Sequence, residues 1–220
     1  MNEFMSKGIK HTESPVIKDP NRMDELAVLP VFLKLRGRRV LLAGGSEAAA
    51  WKAELLAASG AHVDIIAEEL SHEMENLLAR GAADGTLKHH KRPWSINDFD
   101  LAAVALADLE ADAEAHAFYC AAKAAKVPVN VIDNPKYCDF QFGTIVNRSP
   151  VVVGISTDGA APILAQAIRR KIEAQLPASL AKAGALAKNF RNQLKRSCLM
   201  LRNAEIFGKN SLNAPFVLNQ

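Results

Sequence analysis

The stretch Val40-Leu41-Leu42-Ala43-Gly44-Gly45-Ser46-Glu47-Ala48-Ala49 limits what this chain can fold into more than any other. A short apolar run closed by two glycines and followed by an Ala- and Leu-rich segment predicts a buried strand that turns tightly into a helix. The helical pattern runs from Ser46 to Ser59 and ends at Gly60, and His62-Val63-Asp64-Ile65-Ile66-Ala67 supplies a β-branched strand behind it. A strand, a helix and a strand in that order form a βαβ unit, whose two strands lie parallel and whose crossover is right-handed.

The alternation persists on both sides of this unit. Leu29 to Leu35 reads as a short strand, Arg36-Gly37-Arg38 as a turn and Arg39 to Ala43 as the buried strand itself. Downstream, Ser71 to Arg80 reads as a helix stopped by Gly81, Thr86 to Lys88 and Leu101 to Ala107 as strands, Asp112 to Ala125 as a helix and Val129 to Ile132 as a strand. Strands alternating with helices predict an α/β fold, a parallel sheet covered by helices on both faces. The alternation then breaks. Gly143 to Val146 and Val151 to Ser156 flank an Asn-Arg-Ser-Pro turn, the mark of a hairpin and of a second, smaller region. A helix from Ile163 to Leu176 follows, with Pro162 at its start, and another spans Ala178 to Lys195. Residues 1–26 are polar, contain Pro15 and Pro20, and read as a flexible leader; the stretch beyond Arg196 reads as a loosely ordered tail.

Composition excludes several classes of function. With 220 residues, 49% of them hydrophobic, the chain can bury a substantial core and is neither disordered nor a disulfide scaffold. A net charge of +3 gives no general attraction to nucleic acid, so any anionic partner needs a local patch. The three cysteines, Cys120, Cys138 and Cys198, form no CxxC pair and indicate a reducing, cytoplasmic setting. Charge interrupts every apolar stretch before it could span a membrane, and the N-terminus lacks the apolar region of a signal peptide.

The glycine turn lies where a dinucleotide pyrophosphate would sit, because small residues let backbone amides and the helix N-terminus approach phosphate. Only the first glycine of a GxGxxG pattern is in place, since Ser46 and Ala49 occupy the later positions. An acid for the ribose hydroxyls belongs at the end of the second strand, where Glu68 and Glu69 stand; a cap on the next helix is their other reading. Tyr119 and Lys123 have YxxxK spacing, but they stand too soon after the glycine turn and have no serine about a dozen residues upstream, so a catalytic reading of the pair is discounted. Asp108 and Asp133 each end a strand, with helix capping and turn formation as their structural readings. The histidines His62, His72, His89, His90 and His116 form no metal-ligand spacing, and no metal is expected. Arg169-Arg170-Lys171 reads either as a solvated helix face or as a receiver of anions.

Several phrases in fixed order carry a resemblance. They are Leu29 to Leu35, Val40 to Lys52, Ala105-Leu106-Ala107-Asp108, Asn130-Val131-Ile132-Asp133-Asn134-Pro135, Arg148-Ser149-Pro150 and Ile155 to Ala165. From Leu29 to Leu176 the chain resembles the precorrin-2 dehydrogenases, including the amino-terminal module of siroheme synthases. The resemblance implies a Rossmann-like NAD-binding domain over 27–142, an α+β dimerisation domain over 143–178 and a helical C-terminal region over 179–220. It implies NAD-dependent oxidation of precorrin-2, a tetrapyrrole, to sirohydrochlorin by a homodimer; some relatives also insert ferrous iron. Gly44, Gly45, Ser46, Glu47 and Ala48 would hold the pyrophosphate, Glu68 and Glu69 would lie by the ribose, and Ala107 and Asp108 would border the cofactor. Asp133 would be the catalytic acid, Asn130 and Arg148 would meet the substrate with Lys136 and Arg169 as further cations, and Thr157 stands where some relatives carry a phosphorylatable serine. The chain departs from the family wording at Ser46, Trp51, Ala107 and Asp158. The family's long methyltransferase module does not stand in this sequence, and the chain is expected to act alone or with a separate methyltransferase. A non-catalytic module that binds NAD or a tetrapyrrole is the alternative reading, and it predicts binding without hydride transfer.

Overall fold

A computed structural model describes residues 24–180 together with Lys182, Gly184, Leu186, Phe190 and Arg191. The leader, the tail and most of the helix expected over Ala178 to Lys195 therefore lie outside the described residues. The chain divides into two compact units, Met1–Pro30 and Val31–Gln220. The described residues of the first, 24–30, form neither helix nor strand.

In the second unit five parallel strands form one sheet: β1 (Arg39–Ala43), β2 (His62–Ile66), β3 (Thr86–His90), β4 (Ala102–Ala107) and β5 (Val129–Val131). Their order is β3-β2-β1-β4-β5, so the chain winds outward from β1 in one direction and then returns to its other side. Three helices connect them, α1 (Glu47–Ala58), α2 (His72–Arg80) and α3 (Asp112–Ala124). Side-chain alternation along β1 divides the core in two. Val40 and Leu42 face a cluster containing Ala49, Ala53 and Leu56 of α1 and Met74 and Leu77 of α2. Leu41 and Ala43 face the opposite cluster, with Phe99 and with Ala115, Phe118 and Ala122 of α3. Both faces of β1 are thus covered, which is why its sequence is continuously apolar rather than alternating.

The helices start and stop where the sequence indicates. Ser46 caps α1 by accepting from the amide of Ala49, Ser71 caps α2 by accepting from that of Met74, and Gly81 ends α2 with φ of 75°. The predicted hairpin is β6 (Thr144–Arg148) paired antiparallel with β7 (Val151–Ile155), followed by α4 (Pro162–Gln175). The strand expected over Leu29 to Leu35 does not form. Val31, Phe32 and Leu33 are 65%, 72% and 53% exposed, and only Leu35 enters the core. Among the described residues this apolar run has no strand beside it to complete its hydrogen bonds, so hydrophobicity alone does not make it a strand. β3 is longer than expected, extending to His90, and 3₁₀ turns at Ile96–Phe99 and Pro135–Tyr137 appear where the residues show no period.

One buried charge holds the loop before β4. The Asp98 carboxylate accepts from Arg92 Nη2 at 2.5 Å and Nη1 at 2.8 Å, and from the Ser95 amide at 2.8 Å. The Arg92 guanidinium, aided by the Ser95 donors and against the cost of burial, holds this carboxyl at about 2 instead of 3.8. A carboxyl depressed on folding stabilises the native state above its unfolded value and loses that stabilisation as pH falls through the folded one. Asp98→Asn is therefore expected to cost about 2 kcal/mol at neutral pH. Melting temperatures measured from pH 7 down to about 2 should drop less steeply in the variant than in the parent chain.

Candidate functional site

The sheet's register places the functional strand ends in one row. Ile66 lies opposite Ala43, Ala43 opposite Ala107, and Ala107 opposite Val131. The residues that immediately follow, Ala67, Gly44, Asp108 and Ile132, consequently emerge along the same carboxyl edge. The strand order reverses between β1 and β4, and the carboxyl edge at such a reversal is the usual position of a ligand crevice in an open parallel sheet.

The crevice is built around the turn after β1. Gly44 donates to Ile66 O at 2.9 Å, Asp108 donates to Ala43 O at 2.8 Å, and Gly45 O accepts from Ser71 at 2.7 Å. A Cβ on Gly44, which has φ of 118°, would lie 2.6 Å from Asp108 O, and one on Gly45 would lie 2.2 Å from Glu69 O. Both glycines are thus required by neighbouring backbone, a need the phosphate argument did not include. Ser46, extended at φ of −71°, caps α1, and its hydroxyl donates to Asp108 Oδ2. The Glu47 and Ala48 amides in the first turn have no acceptor among the described residues, and they lie at the positive end of the helix dipole. Glu68 and Glu69 are both exposed just beyond β2. Unengaged amides at the head of α1 and carboxylates at the end of β2 fit a dinucleotide, the first toward phosphate and the second toward ribose hydroxyls. Ala107 departs from its expected part: its side chain is fully buried, and only its carbonyl, which accepts from Ile132 at 2.8 Å, reaches the edge.

Asp133 lies two residues beyond β5, exposed, with φ of 57°. A non-glycine residue in the left-handed region is uncommon, and Asp and Asn are the types that tolerate it. The turn that imposes this conformation is tied on both sides. Asn134 donates to Val131 O at 3.1 Å, Tyr137 to Asn134 O at 3.0 Å, and the Cys138 thiol to Val131 O and Asn134 O at 3.2 and 3.3 Å. Burial raises the Cys138 thiol above its ordinary range, which keeps it a donor. Asn130, expected to meet the substrate, is buried, and its amide nitrogen donates to Phe140 O at 2.8 Å. The amide fixes the segment after Asp133 instead of reaching into the crevice.

The cations expected at the site already have partners. Arg148 Nε donates to Leu176 O at 2.8 Å, tying β6 to the end of α4; Lys136 lies 3.0 Å from Asp112; and Arg169 lies 3.1 Å from Glu173. Lys123 of the YxxxK pair is bound to Asp139 at 2.8 Å, a structural ion pair. Among the described residues no group of three His, Cys, Asp or Glu side chains could hold a metal ion. Sequence reasoning assigned no role to Lys52. It is half-buried on α1, with Nζ 4.2 Å above the Phe142 ring. Burial lowers its ammonium from the ordinary lysine range, opposed by the charge of Asp133. A lone lysine in an Ala- and Leu-rich helix was the available signal.

Comparison with known proteins agrees with this geometry. Residues 31–144 match the family model described as "Putative NAD(P)-binding". The chain belongs to this NAD(P)-binding family. Residues 148–175 match a second model, "Sirohaem biosynthesis protein central". The siroheme synthase of Psychrobacter arcticus is 36% identical over 166 residues, 76% of this chain and 30% of that protein. That of Nitrosomonas europaea is 34% identical over 188 residues, 86% of this chain and 39% of its own length. The chain therefore spans about a third of the curated relatives it matches. The solved structure titled "SirC, precorrin-2 dehydrogenase" shares the fold, with a TM-score of 0.63 at 22% identity over 77% of this chain and 81% of that one. The NAD-binding, Rossmann-like part of the resemblance read from the ordered sequence phrases thus holds.

Proposed function

We propose that this chain oxidises the tetrapyrrole precorrin-2 to sirohydrochlorin with NAD, acting as a homodimer in the cytoplasm. The observation that carries the reading is the register row that brings the Gly44 turn, Asp108 and the Asp133 turn to one carboxyl edge. Siroheme synthase relatives and a neighbour titled precorrin-2 dehydrogenase supply the substrate class. When bound, NAD supplies a hydride acceptor. The macrocycle that gives up a hydride is left cationic and must also lose a proton. Asp133, exposed beside the crevice, takes that proton from carbon as general base, and its negative charge stabilises the cation before transfer. The Glu47 and Ala48 amides hold the pyrophosphate. Glu68 and Glu69 accept hydrogen bonds from the adenosine ribose and repel a 2′-phosphate, which favours NAD over NADP.

Residues 27–142 form the cofactor domain of this proposal and 143–178 the dimerisation domain. A two-stranded hairpin is marginal alone, and Val151, Val152, Ile163 and Leu164 of β7 and α4 are exposed. A second copy would cover them. Cys120 and Cys138 are free thiols, consistent with a reducing compartment, and no helix of the described residues is long and apolar enough to cross a membrane.

The test is anaerobic incubation of the purified chain with precorrin-2 and NAD. One NADH is expected for each sirohydrochlorin formed, and NAD should raise the melting temperature more than NADP does. Folded protein that binds both ligands without forming NADH would overturn the dehydrogenase in favour of a binding module.

A further inference from the structure

Substrates of the proposed class carry several carboxylates around a planar ring, so a site that orients one needs cations near the reacting edge. Arg148, Lys136 and Arg169 are engaged by Leu176, Asp112 and Glu173. Lys52 differs in each respect that matters. Its ammonium is half-buried between α1 and the Phe142 ring, and among the described residues no acceptor lies within hydrogen-bond distance of it. Phe142 packs on Phe140 with ring centroids 5.6 Å apart, and the Phe140 carbonyl is held by Asn130 of β5, which sets Lys52 against the segment that follows Asp133; the Asp133 charge acts on the ammonium there. A partly desolvated cation that keeps free N–H donors gains more from an incoming anion than a hydrated surface lysine does.

We propose that Lys52 is a substrate-binding residue that receives a ring carboxylate of the tetrapyrrole beside Asp133, and so fixes which carbon faces that carboxylate. This rests on the proposed tetrapyrrole reading of the site. Phe142 has two effects here: its ring face attracts the ammonium, and its bulk keeps water from one side of it. Asp133 stays free of a direct bond to Lys52, and its oxygens remain available for the proton.

Lys52→Met keeps an unbranched apolar stem, slightly shorter than that of lysine, while removing the charge over Phe142. A lost charge-assisted hydrogen bond predicts a rise in KM for precorrin-2 of roughly 10- to 100-fold. NAD affinity by calorimetry should stay within about twofold, and the melting temperature should be equal or higher because a half-buried charge has been removed. Lys52→Arg should recover most of the affinity, which loss of packing alone would not allow. Lys52→Gln carries the same test should the Met variant fail to fold. Titration with sirohydrochlorin, a carboxylate-bearing product, reads binding without turnover and should weaken in parallel. If the parent chain turns over precorrin-2 and both neutral variants keep its KM, the role of Lys52 is overturned while the dehydrogenase stands. If the parent neither binds sirohydrochlorin nor forms NADH, the tetrapyrrole reading falls and this inference with it.

Discussion

Gly45→Ala is expected to lose NAD binding and several degrees of melting temperature together. The added Cβ would lie 2.2 Å from the Glu69 carbonyl oxygen, 2.9 Å from a Leu70 methyl and 3.2 Å from the Ala67 Cβ. The Leu70 methyl can rotate away, but the carbonyl is backbone and cannot, so the whole turn after β2 must move. Overpacking of this kind costs about 1–3 kcal/mol. At roughly 2–4 °C per kcal/mol for a chain of this size, differential scanning calorimetry resolves it easily. The cofactor effect has a separate cause. Gly45 O is the acceptor that anchors Ser71 at the head of α2, so a shift at Gly45 displaces Glu68 and Glu69 relative to the first turn of α1. A dinucleotide must touch both places at once. A variant that melts lower yet binds NAD with parental affinity would show that the cofactor does not sit on this turn.

The same residue shows how far the sequence was legible. Gly44-Gly45 after an apolar run announced a strand turning into a helix, and Ser46, Ser71, Gly60 and Gly81 marked helix boundaries through local capping chemistry. Those signals act within a few residues and survive in any context. Most of the failures needed a partner distant in sequence. Val31, Phe32 and Leu33 look like a strand because hydrophobicity says nothing about whether a neighbouring strand is there to pair with. Asn130 stands in a phrase that implies substrate contact, yet its amide fixes Phe140 through a chain path that only folding reveals. Arg148 and Lys136 are indistinguishable from free cations until Leu176 and Asp112 come into view, whereas Glu173 stands one helical turn beyond Arg169 and its pairing was legible from spacing alone. Lys52 stands out in its Ala- and Leu-rich helix, but the Phe142 ring beneath its ammonium comes from far along the chain.

Asp133→Asn should lower turnover of precorrin-2 by about 10²- to 10⁴-fold, the usual contribution of a positioned general base. Asparagine is the informative replacement because it shares with aspartate a tolerance for the left-handed conformation that position 133 adopts, at φ of 57°. The turn held by Asn134, Tyr137 and Cys138 should then persist, leaving the melting temperature and NAD affinity near parental values. Alanine would confound the comparison, since it brings backbone strain of order 1 kcal/mol along with the loss of charge. If both variants are inactive but only the alanine melts lower, the carboxylate does the chemistry and the turn merely presents it. If the asparagine variant turns over at the parental rate, the proton leaves by another route, and the left-handed turn at the end of β5 serves only the fold.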